Sequence, residues 1–313
     1  MKRLNDTLFL EALKNRATGS RLDYRAFYST FLGGVTTEPH HMIVPVDDHM
    51  VHRGDAVFEA VKFSDGYIYA LEQHLDRLDI SAAQIALKLP MSRTELVETI
   101  VETIRVSGLQ TGIIRLFMAR GPGGFTTNPF ETIGTQMYCA ITTLKSPARD
   151  VYQKGVRVGV STIAVKEGFF ARTKTCNYLP NVLMKKEALD RKLDFVISKD
   201  EAGFLAEGST ENFALIDVSG KLVIPMFDRI LRGITAVRAM ELANAIGIGS
   251  ENRRFKEDDI LRAKGAVMLG TTIDVLPVAS FETHVFSQVP EETQKLMQAF
   301  EKDLASGPLR LRI

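Results

Sequence analysis

Lys174 is flanked by Thr173, Thr175, Cys176, Asn177 and Tyr178, small or uncharged neighbours that are an unusual setting for a solubilising lysine. An amine kept from water has its charged form disfavoured, so its pKa falls and it becomes a nucleophile toward an aldehyde. Glu207 stands between Ala206 and Gly208, after an expected short strand Phe204–Ala206, where a carboxylate can face a cationic heterocycle nitrogen. An amine that forms a Schiff base, with an acid that keeps a pyridinium protonated, is what pyridoxal phosphate (PLP) chemistry asks of a protein. Taken singly, each residue has a plainer reading. A lone lysine is usually a solvated surface charge, and a Glu-Gly pair is usually a turn.

Three places offer donors to a dianionic phosphate. Gly233-Ile234-Thr235 precedes an expected helix at 236–247, with Thr235 as a plausible N-cap, and helix N-termini present unpaired N–H groups to anions. Gly270-Thr271-Thr272 follows the apolar run Val267–Leu269, and small hydroxyl residues in a turn can form a second anion nest. Arg77, within Gln73-His74-Leu75-Asp76-Arg77-Leu78, reads by helical spacing alone as a surface arginine.

These residues need elements to hold them. Val57 to Tyr69, turning at Asp65-Gly66, predicts a β-hairpin. Leu75, Leu78, Ala82 and Ile85 recur at helical spacing. Ser92-Arg93-Thr94-Glu95 is a capping box for a second helix that Gly108 should end. Strands are expected at Ile113–Ala119 and Gln136–Thr142, around the turn Arg120-Gly121-Pro122-Gly123-Gly124. Further on, Val156, Val158 and Val160 alternate, short apolar runs follow, and helices are expected at 180–191, 235–247 and 291–306. Helices and strands mix without a regular βαβ rhythm, so the expected class is α+β in two domains. The expected division is an N-terminal extension 1–25, a domain 26–145, a linker 146–152 and a domain 153–313.

Composition narrows the partners. Of 313 residues, 45% are apolar and 25% charged, enough to bury a real core. A net charge of +1 gives no reason to expect nucleic acid or an anionic membrane. The two cysteines, Cys139 and Cys176, lie apart without metal-ligand spacing, so a reduced cytoplasmic protein with no metal is expected. Asp6, Glu11 and Lys14 interrupt the N-terminal apolar residues, which argues against a signal peptide.

The wording around Lys174 and Glu207 carries more than either residue. Lys174-Thr175-Cys176-Asn177-Tyr178-Leu179-Pro180-Asn181, and later Ala206-Glu207-Gly208-Ser209-Thr210-Glu211-Asn212-Phe213, resemble the class IV aminotransferases. That family of fold-type IV PLP enzymes includes D-amino acid and branched-chain aminotransferases and aminodeoxychorismate lyases. The resemblance, from about Asp47 to Pro277, implies a smaller N-terminal α/β domain and a larger C-terminal domain of pseudo-barrel type. It implies that Lys174 links covalently to the cofactor aldehyde, that Glu207 pairs with the pyridine nitrogen and that Tyr178 supports the ring oxygen. It also implies that Arg77, Gly233-Ile234-Thr235 and Thr271-Thr272 take the phosphate. At least a homodimer is implied, because a loop of the partner completes the site.

Substrate recognition falls to Arg53, Phe58 and Arg115 on the same resemblance; the plain readings are a surface residue for Arg53 and a strand-edge ion pair for Arg115. Branched-chain enzymes tend to carry tyrosines where Arg53 and Ile113 stand. The well-known bacterial D-amino acid enzymes carry Arg-x-His where this chain has Phe125-Thr126-Thr127. Val51-His52-Arg53-Gly54 and Ser306-Gly307-Pro308 look closer to the divergent, plant-like D-amino acid aminotransferases. The expected reaction moves an amine from a small α-amino acid, D favoured, to 2-oxoglutarate or pyruvate. Branched-chain L-amino acids, the lyase reaction and a non-catalytic PLP binder are the alternatives.

Overall fold

The structure is a computed structural model and describes residues 1–166 and 168–313. The chain forms two compact units, Met1–Leu144 with Leu311–Ile313, and Lys145–Arg310. The last three residues therefore lie with the first unit rather than with the expected second domain.

In the first unit, seven strands run in the order Arg310–Arg312, Tyr67–Tyr69, Ala56–Ser64, Gly112–Ala119, Gln136–Thr142, Tyr24–Ser29, Gly34–Thr36. Val57, Val61, Ile114, Leu116, Met118, Cys139 and Ile141 bury one face of this sheet. Helices Leu71–Gln84 and Arg93–Ser107 cover it with Leu75, Leu78, Leu96, Ile100 and Ile104. Leu75 and Leu78 are at most 1% exposed, and truncating such a side chain costs about 2–5 kcal/mol. Local chemistry sets the boundaries. Asp65 and Gly66 both take positive φ, 52° and 80°, as the tight hairpin turn requires. Ser92 and Glu95 form the reciprocal capping box, and Gly108 ends the helix in the left-handed region. The N-terminal helix Asp6–Asn15 buries none of its residues.

The second unit is built on an eight-stranded mixed sheet. Its order is Ser250–Asn252, Leu222–Ile224, Asn212–Ile216, Gly265–Gly270, Asp274–Phe281, Val156–Val160, Phe195–Ile197, with His284–Val285 paired to Asp274–Phe281. Asn212–Ile216 and Leu222–Ile224 are buried at every residue; apart from Asn212 they are apolar throughout rather than alternating, because both faces are covered. Helices Leu179–Asp190, Ile234–Ala245 and Glu291–Ser306 accompany the sheet. The class is α+β.

Three local expectations change. The stretch 146–152 is not a bare linker, because helix Arg149–Lys154 forms there and packs on Asp274–Phe281. Phe204–Ala206 is no strand: only isolated bridges, Lys199 with Leu205 and Glu207 with Asn212, mark this edge. Gly233, not Thr235, is the N-cap of helix Ile234–Ala245, which starts two residues earlier than its threonine suggests. Among the described residues no helix is long and apolar enough to cross a membrane, and no group of His, Cys, Asp or Glu is set to hold a metal ion.

Candidate functional site

In the second unit, Lys174 lies between the short helix Gly168–Arg172 and helix Leu179–Asp190. Thr173 and Thr175 on either side are buried, and the Thr173 hydroxyl donates to the Phe169 carbonyl at 2.7 Å. Backbone bonds from Thr175 to Thr173 and from Tyr178 to Cys176, each 2.9 Å, wind the segment tightly. The threonines anchor inward, while Lys174 stays partly exposed. Its Nζ is 3.5 Å from the Tyr178 hydroxyl, a long hydrogen bond. A second amine, Lys166 Nζ, sits 4.8 Å from the centre of the same phenol ring.

Glu207 lies across the same space electrostatically. Burial pushes its carboxyl up to about 7, against the opposing pull of Lys166, the Leu231 N–H and Lys174. Desolvation thus outweighs two nearby cations, and such an acid is primed to pair with a further cationic N–H. Its Oε2 accepts from the Leu231 N–H at 3.0 Å. The same Leu231 gives its carbonyl to Asn212 Nδ2, also at 3.0 Å. Glu207 and Asn212 are bridged partners, so acid, asparagine and the chain entering Gly233 are tied together.

Gly233 opens helix Ile234–Ala245 without any side-chain cap, leaving the first-turn N–H groups available to an anion. Thr235 is buried in that turn. A Cβ on Gly233 would come within 1.9 Å of Asn212 Oδ1, so the chain approaches the strand as only glycine permits. Asn212 pairs with Leu269 of the neighbouring strand, which leads through Gly270 into Thr271 and Thr272, both half-buried. Lys174 with Tyr178, Glu207, Gly233–Thr235 and Thr271–Thr272 are thus all framed by one unit.

The remaining candidates belong to the first unit. Arg77 is no plain surface residue: its Nε and Nη2 each donate to Glu59 at 2.7 Å, and Glu59 is fully buried. Burial pushes the Glu59 carboxyl up, but Arg77 and then His74, 2.7 Å away, outweigh it and hold the group far below the usual carboxylate range. Arg115 is exposed in an interior strand between Ala60 and Ala140, so the strand-edge reading fails. Phe58 stacks with Phe117, their centres 6.0 Å apart, on the same sheet face as Arg115. Arg53 ends the short helix His49–Arg53 and donates to the carbonyls of His52 and Phe125 at 2.9 and 3.0 Å.

Sequence reasoning passed over Glu59, Lys166, Asn181 and Asn212. Glu59 carried a signal: it interrupts the alternating apolar phase Val57, Val61, Phe63. Asn181 is buried, its Nδ2 donates to the Ser209 carbonyl and its Oδ1 has no partner among the described residues. It ties the helix after Lys174 to the turn after Glu207. The donor set suits PLP: an amine for the aldehyde, a desolvated acid for the ring nitrogen, and an open helix start with threonine hydroxyls for the phosphate.

The model of the family described as amino-transferase class IV matches residues 56–281. The D-amino-acid transaminase, chloroplastic, of Arabidopsis thaliana is 34% identical over 300 residues, covering 93% of this chain and 79% of that one. A putative branched-chain-amino-acid aminotransferase of Methanocaldococcus jannaschii is 28% identical over 273 residues, covering 87% and 94%. The T.th. branched-chain amino acid aminotransferase, solved with pyridoxamine 5'-phosphate, superposes with a TM-score of 0.86 at 22% identity, covering 92% and 98%. With the family's model spanning most of the chain and a relative alike along nearly all of it, the chain belongs to the class IV aminotransferases, enzymes that work through PLP.

Proposed function

We propose that the chain transfers the amino group of a small α-amino acid, D-amino acids favoured, to a 2-oxo acid such as 2-oxoglutarate or pyruvate. What supports the site is the joint placing of an amine and a desolvated acid: Lys174 against Tyr178, and Glu207 within reach of its charge. What supports the D hand is the 34% identity to a D-amino-acid transaminase, together with the Arg53 and Arg115 pair.

Bound PLP supplies an electron sink for charge that develops at the substrate Cα. Lys174 would hold the cofactor through its aldehyde, and its Nζ, when free, would serve as the base that takes and returns the substrate's Cα proton. The Tyr178 hydroxyl steadies that amine and supports the ring oxygen. Glu207 would accept the ring N–H, and a cation held there would favour the ionised form of this carboxyl. Gly233, Ile234, Thr235, Thr271, Thr272 and Arg77 would hold the phosphate. Arg53 and Arg115 hold carboxylates with guanidinium forks, and Phe58 lines the side-chain space. The functional form is at least a homodimer, and its compartment is the reducing cytoplasm, in keeping with cysteines that lie apart in sequence.

A panel of paired L and D amino acids tests this, read as the pyridoxal-to-pyridoxamine spectral change in a half-reaction. D-alanine or D-glutamate should react fastest. L-Leucine outpacing every D-amino acid would transfer the assignment to the branched-chain reaction, and p-aminobenzoate release without a keto acid would transfer it to the lyase.

A further inference from the structure

One cleft of the second unit has no part in the site above. Helices Arg149–Lys154 and Glu291–Ser306 both pack on strand Asp274–Phe281, and a cavity of about 370 Å³ remains between them. Its floor is apolar, with Val275 and Phe300 buried and Leu304 half-buried. Its mouth carries both signs of charge: Arg149 on one helix, Glu301 on the other, and Asp274 at the start of the strand. Small-molecule sites have this character, an apolar body with a few placed polar groups, from about 300 Å³ upward.

We propose that this cleft binds a free α-amino acid with an apolar side chain, its carboxylate on Arg149 and its ammonium between Asp274 and Glu301. A guanidinium fork suits a carboxylate. Two acids against one base make the ammonium indispensable, so the 2-oxo acid of the same skeleton is disfavoured. The apolar floor selects leucine-like over polar side chains.

The cleft also adjoins the turn that leads to the phosphate. Tyr152, which lines it, donates to the Ile273 carbonyl at 3.2 Å, and Ile273 closes the turn through its N–H to Gly270 at 3.1 Å. Burial and the charge of Asp274 push the Tyr152 phenol up to about 12, so it remains a donor at neutral pH. An amino acid seated against Asp274 therefore bears on Thr271 and Thr272 and alters cofactor retention. That regulatory half rests on the phosphate role proposed for those threonines, whereas the binding half does not.

Equilibrium dialysis of borohydride-treated holoprotein with radiolabelled L- and D-leucine tests binding without turnover. Saturable binding should weaken at least about tenfold in Arg149→Gln, vanish in Leu304→Trp, which fills the floor, and persist in Arg115→Gln. No saturable binding up to about 20 mM leucine, or unchanged binding in a Leu304→Trp protein that melts like the parent, overturns the site. Competition by 3-methylbutylamine or 4-methyl-2-oxopentanoate as strong as leucine's overturns the zwitterion assignment. On untreated holoprotein, leucine should change the PLP release rate about threefold or more, an effect absent from Leu304→Trp; an unchanged rate overturns the regulatory half. Failure of the transamination reading would appear separately, as an absent half-reaction.

Discussion

Gly233→Ala is the sharpest test of how the proposed phosphate end is built. Gly233 has φ −66° and ψ 135°, which alanine adopts freely, so backbone strain contributes nothing and only sterics decide. The new methyl would lie 1.9 Å from Asn212 Oδ1, about 1.5 Å short of ordinary contact. Asn212 cannot swing aside cheaply: it is 6% exposed, and its Nδ2 is committed to the Leu231 carbonyl. Overpacking of this kind costs about 1–3 kcal/mol, and loss of the Asn212–Leu231 bond adds about 1 kcal/mol. A unit of this size loses about 2–4 °C of melting temperature per kcal/mol, so the apo variant should melt about 4–16 °C lower. Since Leu231 also donates to Glu207, PLP affinity should fall by at least about tenfold, that is 1.4 kcal/mol. The control is Gly233→Ala placed in an Asn212→Ala background, where the clashing atom is gone and the substitution should cost less than about 0.5 kcal/mol. Thermal melts and PLP titrations of the four proteins close the cycle. An unaltered Gly233→Ala single variant, or an equal cost in both backgrounds, refutes the close-approach argument.

Lys174→Ala should abolish turnover, and in the parent protein borohydride should fix the cofactor on Lys174; peptide mapping that found the label on Lys166, the neighbouring amine, would refute the assignment. Burial raises Glu207 from 4.5 to about 7, so between those pH values the folded apo protein keeps a proton that the unfolded chain has released. Apo stability therefore falls as pH rises through this window and stays reduced above it, by at most about 3 kcal/mol. Glu207→Gln should flatten that slope in melts from pH 4.5 to 8, and an unchanged slope counts against the desolvated acid. Glu59 shows the opposite sign: with its carboxyl held far below its ordinary range, its contribution persists at neutral pH and is lost only in strong acid. Glu59→Gln removes the charge facing Arg77 and His74 and should cost about 3–5 kcal/mol, read by denaturant titration; a loss under 1 kcal/mol would show the buried pair to be dispensable.

Much of the candidate site was legible because its residues lie close together in sequence. Lys174 and Tyr178 are four residues apart, and the unusual run of uncharged neighbours marks them without any fold. The Ser92–Glu95 box, the Asp65-Gly66 turn and the helix at Glu291–Ser306 follow from rules that act within one turn. Arg77 shows the limit of such rules. Helical spacing makes it a surface residue, and only its pairing with Glu59, on a strand earlier in the chain, reveals a buried bidentate contact. Arg115 shows it again, since its strand acquires neighbours on both sides from segments remote in sequence.

The sequence alone determined the periodicities, caps and turns, the candidate amine and acid, and the family resemblance. Each is written in residue types at short spacing, where sterics and local hydrogen bonding dominate. Only the tertiary structure decided that Glu207 is desolvated enough to sit near neutrality, that Gly233 must lack a side chain because Asn212 stands against it, and that Leu311–Ile313 return to the first unit. Desolvation, close approach and strand neighbours are sums over atoms brought together from distant positions, and no window along the chain contains them.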